Sequence, residues 1–271
     1  MKNEVKTFRL FVRPDEKSQQ IANKIRELNA RKETPLLETE DADLIIAIGG
    51  DGTFIHAVTE TQFDKKIVYT GIHTGTLGFL QDLCEDNIFT LIQYIDFEKE
   101  LKTRKVYTAS VEVFMNDGTS CRFSALNETV IAGENYSKIS FAEYIHGELL
   151  QNITGSGIIV ATPTGDTAFS LNAKGAIDFS NNFQLVCTLI APIKNAANES
   201  FIENTIICTK ISLVLKPADN ISIIIDGIEK DIDSSTIQRV EISMDNSNFI
   251  NKLDLMNYSK VGVIRNKIIG C

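Results

Sequence analysis

Residues 42–48 (ADLIIAI) form a short, continuous apolar run that stops at two glycines, Gly49 and Gly50. A run of this length without polar alternation is typical of a strand that is buried on both faces, as strands are in parallel sheets covered by helices. The next segment (TFIHAVTE) has a helical pattern. The sequence therefore predicts a β-α unit whose glycine turn lies at the carboxyl edge of a parallel sheet.

The same order of strand and helix occurs on both sides of this unit. Residues 7–12 (TFRLFV) have the pattern of a strand, and from Asp15 onward the apolar residues recur with the spacing of one helix face. A further strand is predicted at 67–72 (IVYTGI), followed by a glycine-containing turn and a helix over about 85–101. We therefore predict an N-terminal α/β domain with a parallel sheet and helices.

Past Lys105 the pattern changes to that of a mainly β domain. Asn116-Asp117-Gly118 is a strong hairpin signal between two strand-like segments. One helix is predicted near 167–177. Further strand-like runs lie at 139–145, 183–191, 211–215 and 221–226. We predict two domains, residues 1–100 together with about 250–271, and residues 101–249.

The composition is that of an ordinary globular protein and limits the classes of partner. The 27 Lys and Arg residues are outnumbered by 36 Asp and Glu, which gives a net charge of −9. Such a charge repels a nucleic-acid backbone, so DNA and RNA are poor candidates, whereas a nucleotide can still be bound by backbone N–H groups, a helix N-terminus or Mg²⁺. No apolar run has the length of a signal peptide or a membrane span, and we expect a cytoplasmic protein without membrane contact.

The cysteines favour a reducing compartment. They are five, an odd number, they are scattered along the chain, and they form no Cys-x-x-Cys pair or metal-ligand spacing. Their positions are Cys84, Cys121, Cys187, Cys208 and Cys271.

The first candidate site is Gly49-Gly50-Asp51-Gly52-Thr53, between the buried strand and its helix. Glycines let a backbone approach a phosphate closely, and a helix N-terminus attracts anions. A carboxylate among phosphate-binding amides would be repelled unless it held Mg²⁺ or took a proton from an attacking hydroxyl, and phosphoryl transfer requires both roles. The alternative is that Asp51 is a turn residue that caps the helix.

Two further candidates lie in the second half. Residues 161–170 (ATPTGDTAFS) place a turn rich in hydroxyl groups between an apolar strand and a helix, as in a nucleotide site or in an ordinary capped turn. Asn127-Glu128 occurs in a β-rich stretch and could hydrogen-bond the paired hydroxyls of a ribose. Neither motif is specific by itself.

Taken together, these motifs resemble those of the bacterial NAD kinase family. The matching segments are the glycine motif, HTGTLGFL at 73–80, ALNETVI around Asn127-Glu128, and TPTGDTAFSLNAKGAI from Thr162, in the same order and at similar separations. The resemblance covers most of the chain to about residue 195. It implies an α/β domain, a β-rich domain and an NAD site in the crevice between them, commonly within a homotetramer.

The resemblance also implies roles for particular residues. Asp51 would be the base that activates the ribose hydroxyl, with Gly52 beside it, and Asn127 and Glu128 would bind a ribose of NAD. The phosphate-binding residues would be Gly49, Gly50, Gly52, Thr53 and His56. The adenosine pocket would be lined by Thr164, Thr167, Ala168, Phe169 and Asn172. Thr154 and Ser156 fall at NAD-contact positions, and further candidates are Phe79, Ala191 and Asp226.

The chain departs from the family pattern at several of these positions. Ser156 stands where the family usually has Asp, and Thr154 stands where some members have Arg, so a charged NAD contact is missing. Phe169 replaces a Tyr and Asn172 replaces a Ser, which retains a stacking surface but removes hydroxyl groups. The region 195–216 lacks the Arg-Pro segment that is common there.

The resemblance implies an enzyme that transfers the γ-phosphate of ATP, or a phosphate of polyphosphate, to NAD with Mg²⁺. A P-loop and a dehydrogenase-type Gly-x-Gly-x-x-Gly are both absent from the sequence. Two alternatives stay open at this stage. One is a non-catalytic NAD(P)-binding sensor of the same fold, suggested by Ser156 and by the altered segment 195–216, and the other is a lipid kinase that shares the glycine motif.

Overall fold

The computed structural model describes residues 5–75, 78–97, 101–180, 182–194, 201–216 and 220–269. The chain divides into two compact units. Unit 1 comprises Met1–Val106 and Phe249–Cys271, and unit 2 comprises Tyr107–Asn248. None of the helices in the described ranges is both long enough and apolar enough to span a membrane.

The described residues form eighteen strands and five α-helices. The strands are β1 (Thr7–Val12), β2 (Leu37–Glu38), β3 (Leu44–Gly49), β4 (Val68–His73), β5 (Thr103–Tyr107), β6 (Ala109–Met115), β7 (Ser120–Ala125), β8 (Glu128–Gly133), β9 (Ile139–Ile145), β10 (Glu148–Gly155), β11 (Gly157–Ala161), β12 (Leu185–Ile190), β13 (Ile206–Cys208), β14 (Lys210–Leu215), β15 (Ile221–Ile225), β16 (Ile228–Glu229), β17 (Ile237–Ser243) and β18 (Phe249–Leu253). The helices are α1 (Glu16–Ala30), α2 (Asp51–Glu60), α3 (Ile88–Phe97), α4 (Phe169–Asn172) and α5 (Lys260–Ile264).

Unit 1 is built on a six-stranded sheet in the order β2-β1-β3-β4-β18-β5. Strands β1, β2, β3, β4 and β18 pair in parallel, and every residue of β3 is buried. Ile21 and Ile25 of α1 pack in one apolar cluster with Ile88 and Leu91 of α3 and with the sheet. The parallel sheet is therefore confirmed. The apolar run at 42–48 corresponds to β3, a strand with both faces covered.

The helix predicted over 85–101 is wrong in its bounds. A single 3-10 turn occupies Glu85–Asn87, α3 ends at Phe97, and β5 begins at Thr103. The turn is held by Asn87, whose side-chain oxygen accepts a hydrogen bond from the backbone N–H of Cys84 at 2.9 Å. The chain past 101 joins the edge of the sheet beside β18, a strand that begins 146 residues after β5 and that the local pattern does not reveal as a partner.

Unit 2 contains two antiparallel sheets of six strands each. Their orders are β10-β9-β14-β17-β6-β7 and β13-β12-β11-β8-β15-β16. Strands β6 and β7 form the predicted hairpin, in which Gly118 adopts a positive φ of 87°. The buried side chains of the two sheets belong to one apolar cluster, which includes Val111, Phe141 and Ile158. The expectation of a mainly β second half is confirmed.

The helix predicted near 167–177 is much shorter than expected. A 3-10 turn at Gly165–Thr167 is followed by the four-residue α4, and Ala168 between them has non-helical angles of φ −97° and ψ −123°. Lys174 then adopts a left-handed φ of 67°, and the backbone N–H of Gly175 bonds to the carbonyl of Ser170. A left-handed residue of this kind ends a helix, and the local sequence pattern did not indicate it.

Candidate functional site

The glycine turn of unit 1 leads from β3 into α2. Gly49 has a φ of 154°, and a Cβ atom there would lie 2.5 Å from Oγ1 of Thr53 and 2.9 Å from Cβ of Arg13. Position 49 therefore requires glycine. A Cβ on Gly52 would meet no atom within 4 Å. The backbone at the start of α2 is thus open, as phosphate binding at a helix N-terminus requires.

Asp51 is the first residue of α2 and does not cap that helix. The N-cap is Gly50, which makes no side-chain capping bond. The Asp51 carboxylate instead accepts backbone N–H bonds from Phe79 at 2.8 Å and from Leu80 at 2.9 Å, one on each oxygen. The structure therefore gives the carboxylate a partner that the sequence did not suggest, and each oxygen keeps a second acceptor position.

The segment after β4 is tied to the glycine turn by two further bonds. Gln81 donates from Nε2 to the carbonyl of Gly50 at 2.6 Å, and the backbone N–H of Thr74 donates to the carbonyl of Gly49 at 3.1 Å. Within the segment itself, Nδ1 of His73 lies 2.9 Å from the carbonyl oxygen of Gly75. Residues 76 and 77 of HTGTLGFL lie outside the described residues. The glycine turn and this segment thus form one assembly at the carboxyl edge of the parallel sheet, where open α/β sheets bind ligands.

His56 lies on an outer face of α2. Its exposed imidazole meets the ring of Phe11 edge-on, with centroids 5.7 Å apart. Thr53, one turn earlier, donates its backbone N–H to the carbonyl of Gly50. The packing of His56 against β1 accounts for its position without a ligand.

A buried lysine lies in the same unit and was missed by the sequence analysis. Lys252 of β18 is 1 % exposed and forms an ion pair with Asp82 at 2.8 Å, and Arg104 approaches the same carboxylate at 3.3 Å. Burial lowers the pKa of Lys252 to about 8, against the opposing effect of Asp82. The sequence does contain a signal for this burial, because Lys252 falls at an inward-facing position of a strand whose buried residues alternate.

In unit 2, Asp226 holds the backbone of the Asn127-Glu128 motif. Asp226 has a left-handed φ of 52°, and its carboxylate accepts N–H bonds from Leu126 at 2.7 Å, from Asn127 at 2.6 Å and from Glu128 at 3.2 Å. Asn127 and Glu128 are both buried, and Oδ1 of Asn127 and Oε2 of Glu128 have no hydrogen-bond partner among the described residues. Two unsatisfied buried acceptors are costly, and donors such as ribose hydroxyls would satisfy them.

The carboxyl groups of Glu128 and Asp226 influence each other. Burial, together with the smaller effect of the negative charge of Asp226, raises the pKa of Glu128 to about 7. Burial also raises the pKa of Asp226, while the N–H bonds from Leu126 and its neighbours oppose that rise. Glu128 therefore gains a proton close to neutral pH, which the sequence motif alone does not indicate.

We expect Glu128 to make the protein less stable as the pH rises from about 4.5 to about 7. The folded state holds the proton in this window and the unfolded state does not, so the free energy of unfolding falls with pH, by up to about 3 kcal/mol. Below about pH 4.5, Glu128 no longer makes the stability depend on pH. Urea unfolding of the wild type and Glu128→Gln at pH 5 and pH 8 measures this pH dependence. A difference in unfolding free energy between the two proteins that is the same at both pH values would contradict the prediction.

The turn at 162–165 packs directly on the Asn127-Glu128 motif. Thr162 donates from Oγ1 to the carbonyl of Leu126 at 2.6 Å, and its backbone N–H bonds to the carbonyl of Asn127 at 2.8 Å. A Cβ atom on Gly165 would lie 2.1 Å from the Asn127 carbonyl oxygen, so only glycine fits there. The turn is therefore more than an ordinary capped turn, since it fixes the position of the Asn127-Glu128 motif.

The remaining predicted residues of unit 2 fall into two groups. Thr164, Thr167 and Ala168 are partly exposed after this turn, Asn172 is exposed, and the Phe169 ring is 46 % exposed and free to stack on a ligand. Ser156 and Thr154 lie beyond the opposite end of β11, where the N–H of Ser156 bonds to the carbonyl of Ile190. Ala191, with a φ of 43°, follows Ile190.

The length of β11 separates these two groups within one chain. Gly157 and Ala161 bound the strand, and four residue steps at about 3.3 Å give about 13 Å. Ser156 and Glu128 therefore do not meet within this chain.

No resident metal site is visible in the parts of the chain that the structure describes. They contain no group of three or more His, Cys, Asp or Glu side chains that could hold a metal ion. Asp51 nevertheless fits a supporting role, because its oxygens retain acceptor positions and Mg²⁺ is commonly bound by one carboxylate together with substrate phosphates. The arrangement suits Mg²⁺ that arrives with a nucleotide.

The sequence and the structure of this chain are both similar to those of known NAD or NADH kinases. The chain is 34 % identical over 214 residues to an NAD kinase of Lactobacillus delbrueckii subsp. bulgaricus, a match that covers 76 % of this chain and 78 % of that protein. It is 29 % identical over 261 residues to an NAD kinase of Finegoldia magna, with 93 % and 94 % covered. The crystal structure of yeast NADH kinase complexed with NADH has a TM-score of 0.82 at 19 % identity, covering 99 % of this chain and 88 % of that chain, and so shows the same fold.

The two halves of the chain match the two domains of one family in order. Residues 2–96 match the ATP-NAD kinase N-terminal domain, and residues 126–251 match the ATP-NAD kinase C-terminal domain. The first match contains the glycine turn with Asp51, and the second contains the Asn127-Glu128 motif with Asp226. On these matches, and on the two relatives, the chain belongs to the ATP-NAD kinase family.

Proposed function

We propose that this protein is an NAD kinase, which transfers the γ-phosphate of ATP to the 2′-hydroxyl of the adenosine ribose of NAD. The observation that carries the proposal is the Asp51 carboxylate, which two backbone N–H groups hold at an open glycine turn in a chain of this family. Fixed in this way, the carboxylate is oriented before any substrate binds, so that little reorganisation is needed during the reaction.

Asp51 accepts the proton of the ribose hydroxyl as its oxygen attacks the γ-phosphorus in line. A new bond forms between that oxygen and phosphorus, the bond from phosphorus to the β,γ-bridging oxygen breaks, and ADP leaves. Gly49, Gly50, Gly52 and Thr53 would offer backbone N–H groups to the phosphates at the start of α2. When bound, Mg²⁺ supplies positive charge that neutralises the phosphate oxygens.

The residues of unit 2 bind NAD in this proposal. The unsatisfied oxygens of Asn127 and Glu128 accept hydrogen bonds from ribose hydroxyls. The exposed ring of Phe169 stacks on adenine, and Thr164, Thr167, Ala168 and Asn172 line the pocket beside it. Thr154, Ser156 and Ala191 lie at the other end of β11, so we assign them a contact with a more distant part of the dinucleotide.

The proposal is tested by measuring NADP formation from NAD and Mg·ATP with the purified protein. Turnover with NAD but not with diacylglycerol supports the NAD kinase and rejects the lipid kinase. Tight NAD binding without turnover would instead support a non-catalytic sensor, in line with Ser156 at a position where the family usually has Asp. Replacing ATP by polyphosphate in the same assay identifies the donor.

We also propose a cytoplasmic location and a homotetramer. The location rests on the sequence, in which the cysteines are odd in number and scattered. The assembly rests on the family resemblance. Sedimentation of the purified protein tests the assembly directly.

A further inference from the structure

A cavity of about 270 Å³ lies in unit 1 beside the segment that follows β4. Its lining includes His73, Gln81 and Asp82 together with residues of the C-terminal segment, among them Tyr258 and Lys267. Small-molecule pockets commonly measure about 300–1,000 Å³, so this cavity suits a part of a ligand and is small for a whole nucleotide.

The acidic groups of the cavity already have internal cations. Asp82 pairs with Lys252 and Arg104, and Asp254 pairs with Lys102 at 3.2 Å. These carboxylates therefore have little tendency to attract a further cation. The cavity is therefore not a simple cation-binding site.

Lys267 is the cation of this cavity that lacks a counter-ion. Its side chain is partly buried, and it forms no ion pair within 4 Å among the described residues. Burial lowers its pKa, and the charges of Asp51 and Asp82 act in the opposite direction. An ammonium group that is partly removed from water and has no close anion favours an anionic ligand.

The ammonium group of Lys267 also lies near the segment that holds Asp51. It is 5.8 Å from the ring centroid of Phe79, and the backbone N–H of Phe79 donates to Oδ2 of Asp51. A ligand group bound by Lys267 would therefore lie near the end of the glycine turn that carries the carboxylate. In a phosphotransferase this is where the transferred phosphate is needed.

We propose that Lys267 binds the terminal phosphate of the phosphoryl donor and holds it close to Asp51. The inference rests on the proposed function and adds a donor-binding residue from the C-terminal segment. Lys267 contributes a positive charge and N–H donors to the phosphate oxygens, and makes no covalent bond during the transfer. Asp51 receives the proton, and ADP carries away the bridging oxygen.

The test compares Lys267→Met with Arg265→Gln, which removes one positive charge from an exposed residue that does not line the cavity. Loss of a charged hydrogen bond to phosphate should raise the KM for ATP at least about tenfold in Lys267→Met, while the KM for NAD stays within about twofold. Arg265→Gln should change neither. Lys267→Arg, which keeps the charge, should recover part of the affinity for ATP.

Calorimetric titration with Mg·ATP in the absence of NAD separates this inference from the proposed function. If the wild type makes no NADP, the kinase assignment fails, but weaker Mg·ATP binding by Lys267→Met would still support the role of Lys267. Equal affinities in the wild type and Lys267→Met, or no Mg·ATP binding by the wild type, would overturn it. Lys267→Gln serves in place of Lys267→Met if thermal unfolding shows that the latter is not folded.

Discussion

Replacing Asp51 by asparagine should lower the kcat for NADP formation at least about a hundredfold, because the amide cannot accept the ribose proton. The loss should appear in kcat with little change in the KM for NAD, whose proposed contacts lie in unit 2. Steady-state kinetics with NAD and Mg·ATP measures both constants. A variant that keeps more than about a tenth of the wild-type kcat would exclude Asp51 as the base.

The structure shows which side effect of this substitution must be controlled. Asparagine keeps one acceptor oxygen for Phe79 or Leu80, but its NH₂ group then faces the other backbone N–H. An N–H left without an acceptor costs about 1–3 kcal/mol, so the assay temperature must lie well below the melting temperature of the variant. Glu60→Gln makes the same change of charge at the exposed C-terminal end of α2 and should leave kcat unchanged.

Replacing Asp226 by alanine should destabilise the protein by about 3 kcal/mol or more. Three backbone N–H groups, those of residues 126–128, lose their acceptor, and alanine is disfavoured at a φ of 52°. A loss of this size should lower the melting temperature by about 6–12 °C. Because the same bonds position Asn127 and Glu128, the affinity for NAD should also fall at least about tenfold.

Asp231 provides the matched control for this experiment. It is an exposed carboxylate five residues further along, so Asp231→Ala removes the same charge without removing a backbone contact. Calorimetric unfolding and NAD titration of both variants separate the effect of charge from that of the hydrogen bonds. Equal stability of Asp226→Ala and Asp231→Ala would show that the three N–H bonds do not hold the motif.

Much of the fold could be predicted because local patterns reflect burial. The strand at 7–12 was predicted with the bounds that the structure has, and the apolar run at 42–48 was correctly predicted to be a covered parallel strand. The helices at 85–101 and 167–177 were wrong in length. Their ends are set by a sheet edge formed with β18 and by the left-handed Lys174, neither of which produces a periodic signal.

From the sequence we could predict the alternation of strand and helix, the glycine turn with Asp51, and the order of motifs that indicates the family. These features depend on residue type and spacing, which are visible without a structure. The surroundings of each candidate side chain, in contrast, depend on contacts that form only when the chain folds. The N–H groups that hold Asp51 come from residues 79 and 80, and the carboxylate that holds Asn127-Glu128 comes from Asp226, about 100 residues away.

Contacts of this kind also set the charge states in unit 1 and unit 2. Glu128 has a raised pKa because folding buries it beside Asp226, and Lys252 has a lowered pKa because folding buries it in a strand. The physical reason is that desolvation and charge pairing depend on distances in space, which the chain acquires only when segments far apart in sequence pack together.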